Sequence, residues 1–140
     1  MGQKTRAALK LLFETGDKPT ESQFGDLIDS QENITDDGVL VGGENNITAF
    51  NGGGLGGAYQ LTKKENRVGT SVNANDSVKL PTGVPGMESS VFNDTANVID
   101  VYAALGGQIM EGGVDNPTQV ASVTVGTFKC YAADKWSTPT

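Results

Sequence analysis

The sequence predicts an α+β, mainly β fold: an N-terminal helical hairpin, a Gly-rich extended arm, and a C-terminal antiparallel β-sandwich or jelly-roll-like domain. Helical apolar spacing is confined to residues 3–31, and eight glycines fall between Gly38 and Gly57. From residue 58 onward, short apolar–polar alternations recur between turn signals at roughly 8–12-residue intervals, which is typical of sandwiches and barrels. The predicted boundaries are 1–31 for the hairpin, 32–57 for the arm and 58–140 for the β-domain.

The hairpin is predicted from one helix over Thr5–Glu14 and a second that begins after Thr20. Thr20 with Gln23 three residues later matches a capping box, in which each residue satisfies a free backbone N–H of the other. The residues that follow at helical spacing form one apolar stripe: Phe24, Leu27 and Ile28. Helices of about ten residues are not stable alone in water, so we expect both to pack on each other and on a partner.

The predicted arm is rich in Gly and Asn, and its one apolar cluster is Val39-Leu40-Val41. A stretch of about 25 residues without clear structure is unusual inside a compact domain. It is therefore either a disordered linker or an arm that becomes ordered on a partner, and we favour the arm. Gly52, Gly54 and Gly57 match G-x-G-x-x-G, but the flanking residues do not form the strand and helix that a phosphate loop requires. Flexible or close-packed glycine is the better interpretation.

Roughly seven strands are expected in the β-domain. Met87–Phe92 and Val98–Tyr102 flank the polar stretch Asn93–Asn97, a pattern that predicts a β-hairpin with a five-residue loop. Trp136 is predicted to close the core from the end of a strand.

The apolar phase changes near the end of the chain. Val123 and Val125 alternate one step out of phase with Phe128 and Cys130, with Gly126 between the two pairs. A one-residue phase change at a glycine predicts a bulge or a tight turn. Cys130 is expected to be a small buried residue of a strand.

The charge balance excludes several classes of partner. Ten Lys and Arg residues against 17 Asp and Glu residues give a net charge of −7, so nucleic acid and anionic membranes are expected to repel the chain. No apolar run approaches the roughly 18 residues that a transmembrane helix needs. The N-terminal segment is too short and too amphipathic for a signal peptide, which favours a protein that stays in the cytoplasm or is assembled there.

Catalytic chemistry has few candidates in this sequence. The chain contains no histidine and one cysteine, which excludes Ser-His-Asp and Cys-His catalysis, His-containing zinc sites and an intrachain disulfide. Neither acidic pair, Asp26/Asp29 or Asp36/Asp37, has the spacing of a calcium-binding loop. The sequence therefore predicts no enzyme, no metal and no cofactor, and the functional site is expected to be an interaction surface.

Two segments resemble small virion structural proteins of tailed bacteriophages. Residues 11–30, LLFETGDKPTESQFGDLIDS, are similar to the opening of such proteins. The second segment is similar to the β-domain of capsid decoration, head-fibre and tail-fibre-associated proteins. It is carried by Asp76–Pro81, Pro85–Met87, Val91–Asn93, Val98–Tyr102 with Gly106-Gly107, Phe128–Tyr131 and Trp136. A departure lies at Val125-Gly126-Thr127, where these proteins often carry Ala-Ala-Gly between the last strands.

The resemblance implies a capsid decoration or cement protein that binds the outside of the major capsid shell and stabilises it. Assembly in the host cytoplasm and a place on the virion exterior would follow, and an acidic chain is better tolerated outside a DNA-filled shell than inside it. The alternative is a head-fibre or tail-fibre/baseplate protein that binds host-surface glycans. The thin, Gly-rich core and the resemblance together favour a homotrimer. The candidate capsid-binding residues are Phe13, Phe24, Leu27, Ile28, Val39, Leu40 and Val41.

Overall fold

The structure, a computed structural model, describes residues 6–12, 16, 18–31 and 39–138. The chain divides into two compact units, Met1–Asp37 and Gly38–Thr140. The described part of the first unit contains two helices, and that of the second contains ten strands. The prediction of a mainly β protein with N-terminal helices is therefore confirmed.

The helices of the first unit are α1 (Arg6–Leu12) and α2 (Glu21–Asp29). The predicted capping box at the start of α2 is present. The backbone N–H of Gln23 donates to Thr20 Oγ1 at 3.3 Å, and the backbone N–H of Thr20 donates to Gln23 Oε1 at 2.8 Å. These two bonds satisfy donors that the first helical turn leaves free, which explains why α2 begins here.

The strands of the second unit are short and form two sheets. In chain order they are β1 (Gly43–Thr48), β2 (Tyr59–Gln60), β3 (Glu65–Thr70), β4 (Asp76–Lys79), β5 (Glu88–Asn93), β6 (Ile99–Tyr102), β7 (Gln108–Ile109), β8 (Thr118–Val120), β9 (Thr124–Ala132) and β10 (Lys135–Ser137). The first sheet has the order β1-β3-β5-β9-β10-β7, and the second has the order β2-β4-β6-β8.

From β1 to β6 the chain passes alternately from one sheet to the other, so each strand lies parallel to the strand two places before it. In the second sheet Tyr59 pairs with Val78, and Val78 pairs with Val101. The result is a solenoid-like coil of three turns rather than the predicted antiparallel sandwich. The alternating pattern that marks half-buried strands is the same in both architectures, and only the pairing distinguishes them.

The predicted hairpin at residues 87–102 is wrong, because β5 and β6 lie in different sheets. The buried Asn93 side chain holds the corner between them. Its Nδ2 donates to the carbonyl oxygens of Asn97 at 2.8 Å, Val120 at 3.0 Å and Ala121 at 3.1 Å. Its Oδ1 accepts from the Thr95 backbone N–H at 3.1 Å. The hydrogen bonds of this one amide side chain thus hold the corner, where a hairpin would have backbone hydrogen bonds between its two strands.

Antiparallel strands close the coil, β8 against β6 and β9 against β5. The β5–β9 register is continuous, so the predicted bulge or turn at Gly126 is also wrong. Gly126 faces inward, where an added Cβ would lie 2.9 Å from Val120 Cγ2 and 3.2 Å from the Phe128 ring. Phe128 and Cys130 are buried on the same face, while Val125 faces outward.

The core lies between the two sheets. Its largest side chains with under 2% exposure are Trp136, Phe128, Leu61, Leu80, Ile99 and Ile109. Trp136 on β10 closes this core, as predicted from the sequence. Cys130 is buried in the same cluster on β9, also as predicted.

The arm predicted over residues 32–57 needs correction where it is described, because residues 39–57 fold as part of the β unit. β1 lies within this stretch, and Ile47 and Ala49 belong to the core. Two of its glycines serve close packing. A Cβ on Gly53 would lie 2.9 Å from the Asn75 carbonyl oxygen, and one on Gly57 would lie 2.2 Å from the Phe50 ring. Low side-chain volume here indicates tight packing rather than an extended arm.

Candidate interaction surfaces

The described residues hold no group of three or more Cys, Asp or Glu side chains placed to bind a metal ion. Within the same residues, no helix combines the length and the apolar character needed to cross a membrane. The features that the fold presents to a partner are exposed apolar side chains, which lie on both units.

On the helical unit, α2 places the predicted residues at one-turn spacing. Ile28 is 69% exposed and Phe24 is 49% exposed, while Leu27 is half-buried. Leu11 on α1 is 66% exposed. Phe13, the remaining candidate on this unit, lies outside the described residues.

The other predicted residues, Val39-Leu40-Val41, belong to the β unit and form no strand. Leu40 is partly buried and packs against the β core, so its first role is structural. Val41 is 50% exposed and remains available to a partner. The predicted set is therefore divided between two units rather than gathered in one site.

A surface that was not predicted lies on the outer face of the first sheet. We call it the Phe92 surface, and it consists of Arg67, Phe92, Asp94, Val123 and Val125. Arg67, Phe92 and Val125 lie side by side on β3, β5 and β9. The three apolar members are exposed by 42% (Phe92), 52% (Val125) and 75% (Val123). They border a depression of about 570 Å³ that Arg67 and Asp94 also line.

Charged and amide groups fix the polar side of this surface. Arg67 Nη2 forms an ion pair with the Asp94 carboxylate, and Nη1 donates to Asn45 Oδ1 at 2.8 Å and Asn46 Oδ1 at 3.0 Å. A second depression of about 380 Å³, lined by Glu44, Glu65 and their neighbours, lies on the other side of Phe92 and Arg67. The aromatic ring of Phe92 thus borders both depressions.

Val123 adopts a backbone conformation that a β-branched residue rarely takes. Its φ is +54°, in the left-handed region, within the turn that joins β8 to β9. Such a conformation costs an L-residue with a Cβ about 1–2 kcal/mol. Hydrogen bonds fix the turn: Ser122 Oγ donates to the Thr95 carbonyl oxygen at 2.7 Å, and Thr124 Oγ1 donates to that of Ala121 at 2.7 Å.

The perturbed titratable groups of the β unit have structural explanations. Burial raises the pKa of the Cys130 thiol, which keeps it protonated and unreactive. A hydrogen bond from its hydroxyl to Glu44 raises the pKa of Tyr59. Burial acts to raise the pKa of Asp76, but N–H groups of the backbone and the Ser71 hydroxyl outweigh it, and the pKa lies below its usual value.

The sequence did contain a signal for the Phe92 surface. Because of the phase change at Gly126, Val125 before the glycine and Phe128 after it point to opposite faces of the sheet. The phase change predicts a bulge or a tight turn, whereas the strand continues without one and Val125 faces solvent. An uninterrupted strand with apolar residues in both phases indicates apolar side chains on both faces of the sheet.

In comparisons with known proteins, no family model, no curated protein and no solved structure matches this chain.

Proposed function

We propose that this protein is a structural component of a tailed-bacteriophage virion, a decoration or cement protein that binds the outside of the major capsid shell and stabilises it. It has a binding role rather than a catalytic one. The resemblance of residues 11–30 and 76–136 to small phage virion proteins gives the class. The exposed apolar face of the helical unit gives the mode of attachment.

The observation that carries the proposal is the exposure of Ile28 and Leu11 on two short helices. α1 spans seven residues and α2 spans nine, lengths at which a helix gains most of its stability from packing. Ile28 is nevertheless 69% exposed and Leu11 is 66% exposed. An apolar helix face of this kind fits a hydrophobic groove on a partner, which is a common mode of recognition for short helical segments.

The net charge fits a position on the outer surface. A chain of −7 that is present in many copies would be repelled by packaged DNA on the inner side of a shell. On the outside that repulsion is absent, and each copy can add weak contacts at the junctions between shell subunits. Linked copies in a homotrimer would raise the effective concentration of each attachment helix near the shell.

The proposal is tested by the binding of full-length protein to empty shells of the phage that encodes it. We expect Ile28→Asp to weaken binding by roughly tenfold or more, because a charge would have to be buried against an apolar groove. Val114→Asp is the matched control, since Val114 is 58% exposed on the β unit.

Equal occupancy for Ile28→Asp and the wild type would place attachment elsewhere. Failure of the wild-type protein to bind shells, together with binding to host-surface glycans, would favour the head-fibre or tail-fibre alternative instead.

A further inference from the structure

Val123 has a positive φ, which is unusual for a valine. Six non-glycine residues among those described have positive φ, and four of them are Asn or Asp, the types that tolerate this region. Val123 is β-branched and 75% exposed, so neither backbone preference nor core packing explains a valine at this turn. Strained residues that the surrounding structure holds in place are concentrated at binding sites.

The strained valine belongs to a larger apolar surface. Phe92 and Val125 lie beside it, and the three border the depression of about 570 Å³. Val123 is the most exposed of the three, and a hollow lies next to it. The Phe92 surface thus offers both a protruding apolar side chain and a recess in which one could be received.

The charges of this surface favour a second copy of the same chain as the occupant. Copies that carry −7 each repel one another over most of their surfaces. At the Phe92 surface one cation and one anion, Arg67 and Asp94, stand side by side, with side-chain exposures of 43% and 48%. Two such surfaces can meet without net repulsion, and Arg67 of one copy can pair with Asp94 of another.

We infer that the Phe92 surface is the contact through which copies of this chain associate, with Val123 of one copy entering the hollow beside Phe92 of another. The strain at Val123 is retained because the side chain is needed there. Association through this surface does not depend on which larger structure the protein joins, so it can be tested on purified protein without shells.

The test is sedimentation equilibrium of the full chain over a wide concentration range. The wild type is expected to be an oligomer at tens of micromolar. Val123→Asn should weaken association by roughly tenfold or more, because it removes the protruding apolar group. Phe92→Ser should do the same from the neighbouring strand. Val114→Asn, at an exposed valine outside this surface, should leave association unchanged.

A second readout separates a binding role from a folding role. Asn is at ease in the left-handed region, so the thermal unfolding midpoint of Val123→Asn, measured at concentrations where all variants are monomeric, should equal or exceed that of the wild type. Lower association together with undiminished monomer stability supports the inference. A wild type that stays monomeric throughout, or a Val123→Asn variant that associates like the wild type, would overturn it. Shell binding plays no part in either result.

Discussion

The helical unit and the β unit differ in where their stabilising contacts come from. α2 begins at a hydrogen-bonded pair three residues apart, Thr20 and Gln23. In the β unit, Asp76 reaches back to the Gly52 N–H, and Asn93 reaches forward to the Val120 carbonyl oxygen. Neighbouring residues thus fix the start of α2, whereas the β unit depends on residues that are far apart in the chain.

The two units also differ in which side chains they leave accessible to a partner. The described helices leave Leu11 and Ile28 exposed, which suits attachment to another molecule. The β unit buries its large side chains between two sheets, and one face of its first sheet carries the apolar Phe92 surface. Substitutions in the core of the β unit should therefore lower stability, whereas substitutions at exposed residues of the helices should weaken binding.

The largest effect is expected from the core of the β unit. Phe128→Ala should lower the free energy of unfolding by about 3–5 kcal/mol, because a fully buried ring leaves a cavity. Ile28→Ala on α2 should change it by no more than about 0.5 kcal/mol, because the side chain is 69% exposed. Urea unfolding followed by tryptophan fluorescence reports the β unit, since Trp136 lies in the same core as Phe128. Far-ultraviolet circular dichroism recorded along the same titration reports the helices. Equal losses for the two variants would contradict the division into two units.

The next effect concerns Asp76, whose carboxylate accepts from the backbone N–H groups of Val72 at 2.7 Å, Asn73 at 3.0 Å and Gly52 at 3.3 Å. Asp76→Asn should cost about 1.5–3 kcal/mol at neutral pH, because these bonds lose their charged acceptor. Asp94→Asn, at an exposed carboxylate, should cost less than about 1 kcal/mol.

The pH dependence of stability follows from the lowered pKa of Asp76. The stabilisation is complete above the ordinary carboxyl pKa of about 3.9 and is lost as the pH falls through the lower value of the folded state. Wild-type urea midpoints should thus fall more steeply below about pH 4 than those of Asp76→Asn. Parallel curves for the two proteins would show that the buried carboxylate does not contribute.

A comparable loss is expected at Gly126, whose missing side chain leaves space for Phe128 and Val120. Gly126→Ala should cost about 1–3 kcal/mol, because the added methyl overpacks an inward-facing position of β9. Gly56→Ala is the control, since an added Cβ there meets nothing within 4 Å. Unfolding midpoints measure both. A neutral Gly126→Ala would mean that this face of β9 is loosely packed.

The smallest effect is expected at the N-cap of α2, where a substitution should affect this helix alone. Thr20→Ala removes the capping hydroxyl and should destabilise α2 by about 0.5–2 kcal/mol. The unfolding midpoint of the β unit, followed at Trp136, should not move, while the helical signal in far-ultraviolet circular dichroism should fall. Thr20→Ser is the control, because serine keeps the hydroxyl. A shift of the β unit's midpoint would show that the two units unfold together.

The features that the sequence could predict are those that neighbouring residues determine. The start of α2, the burial of Trp136 and Cys130, and the mainly β class follow from local patterns, and the structure confirms them. The solenoid-like path was not predictable, because period-two alternation says which face of a strand is buried and not which strand lies beside it. The loop at Asn93–Asn97 has the composition of a hairpin turn, yet the bonds of Asn93 to Val120 and Ala121 make it a corner.

The candidate surfaces were predictable to a smaller extent. Helical spacing predicts that Phe24 and Ile28 share one side of a short helix, and both are exposed on α2. Its position in an apolar cluster predicts that Leu40 contacts a partner, but it packs on the core of its own unit. The Phe92 surface was not predicted because its members lie on three strands, the corner after β5 and the turn before β9, which meet only in the folded chain.

We propose attachment through the helical unit and not through the β unit. This proposal is tested most directly by the shell occupancy of a fragment that comprises residues 38–140, compared with the full chain at equal concentration. Circular dichroism and the Trp136 fluorescence signal establish that the fragment is folded. We predict a folded fragment that still associates with itself and no longer decorates shells. A folded fragment that decorates shells to the same occupancy as the full chain would contradict the account.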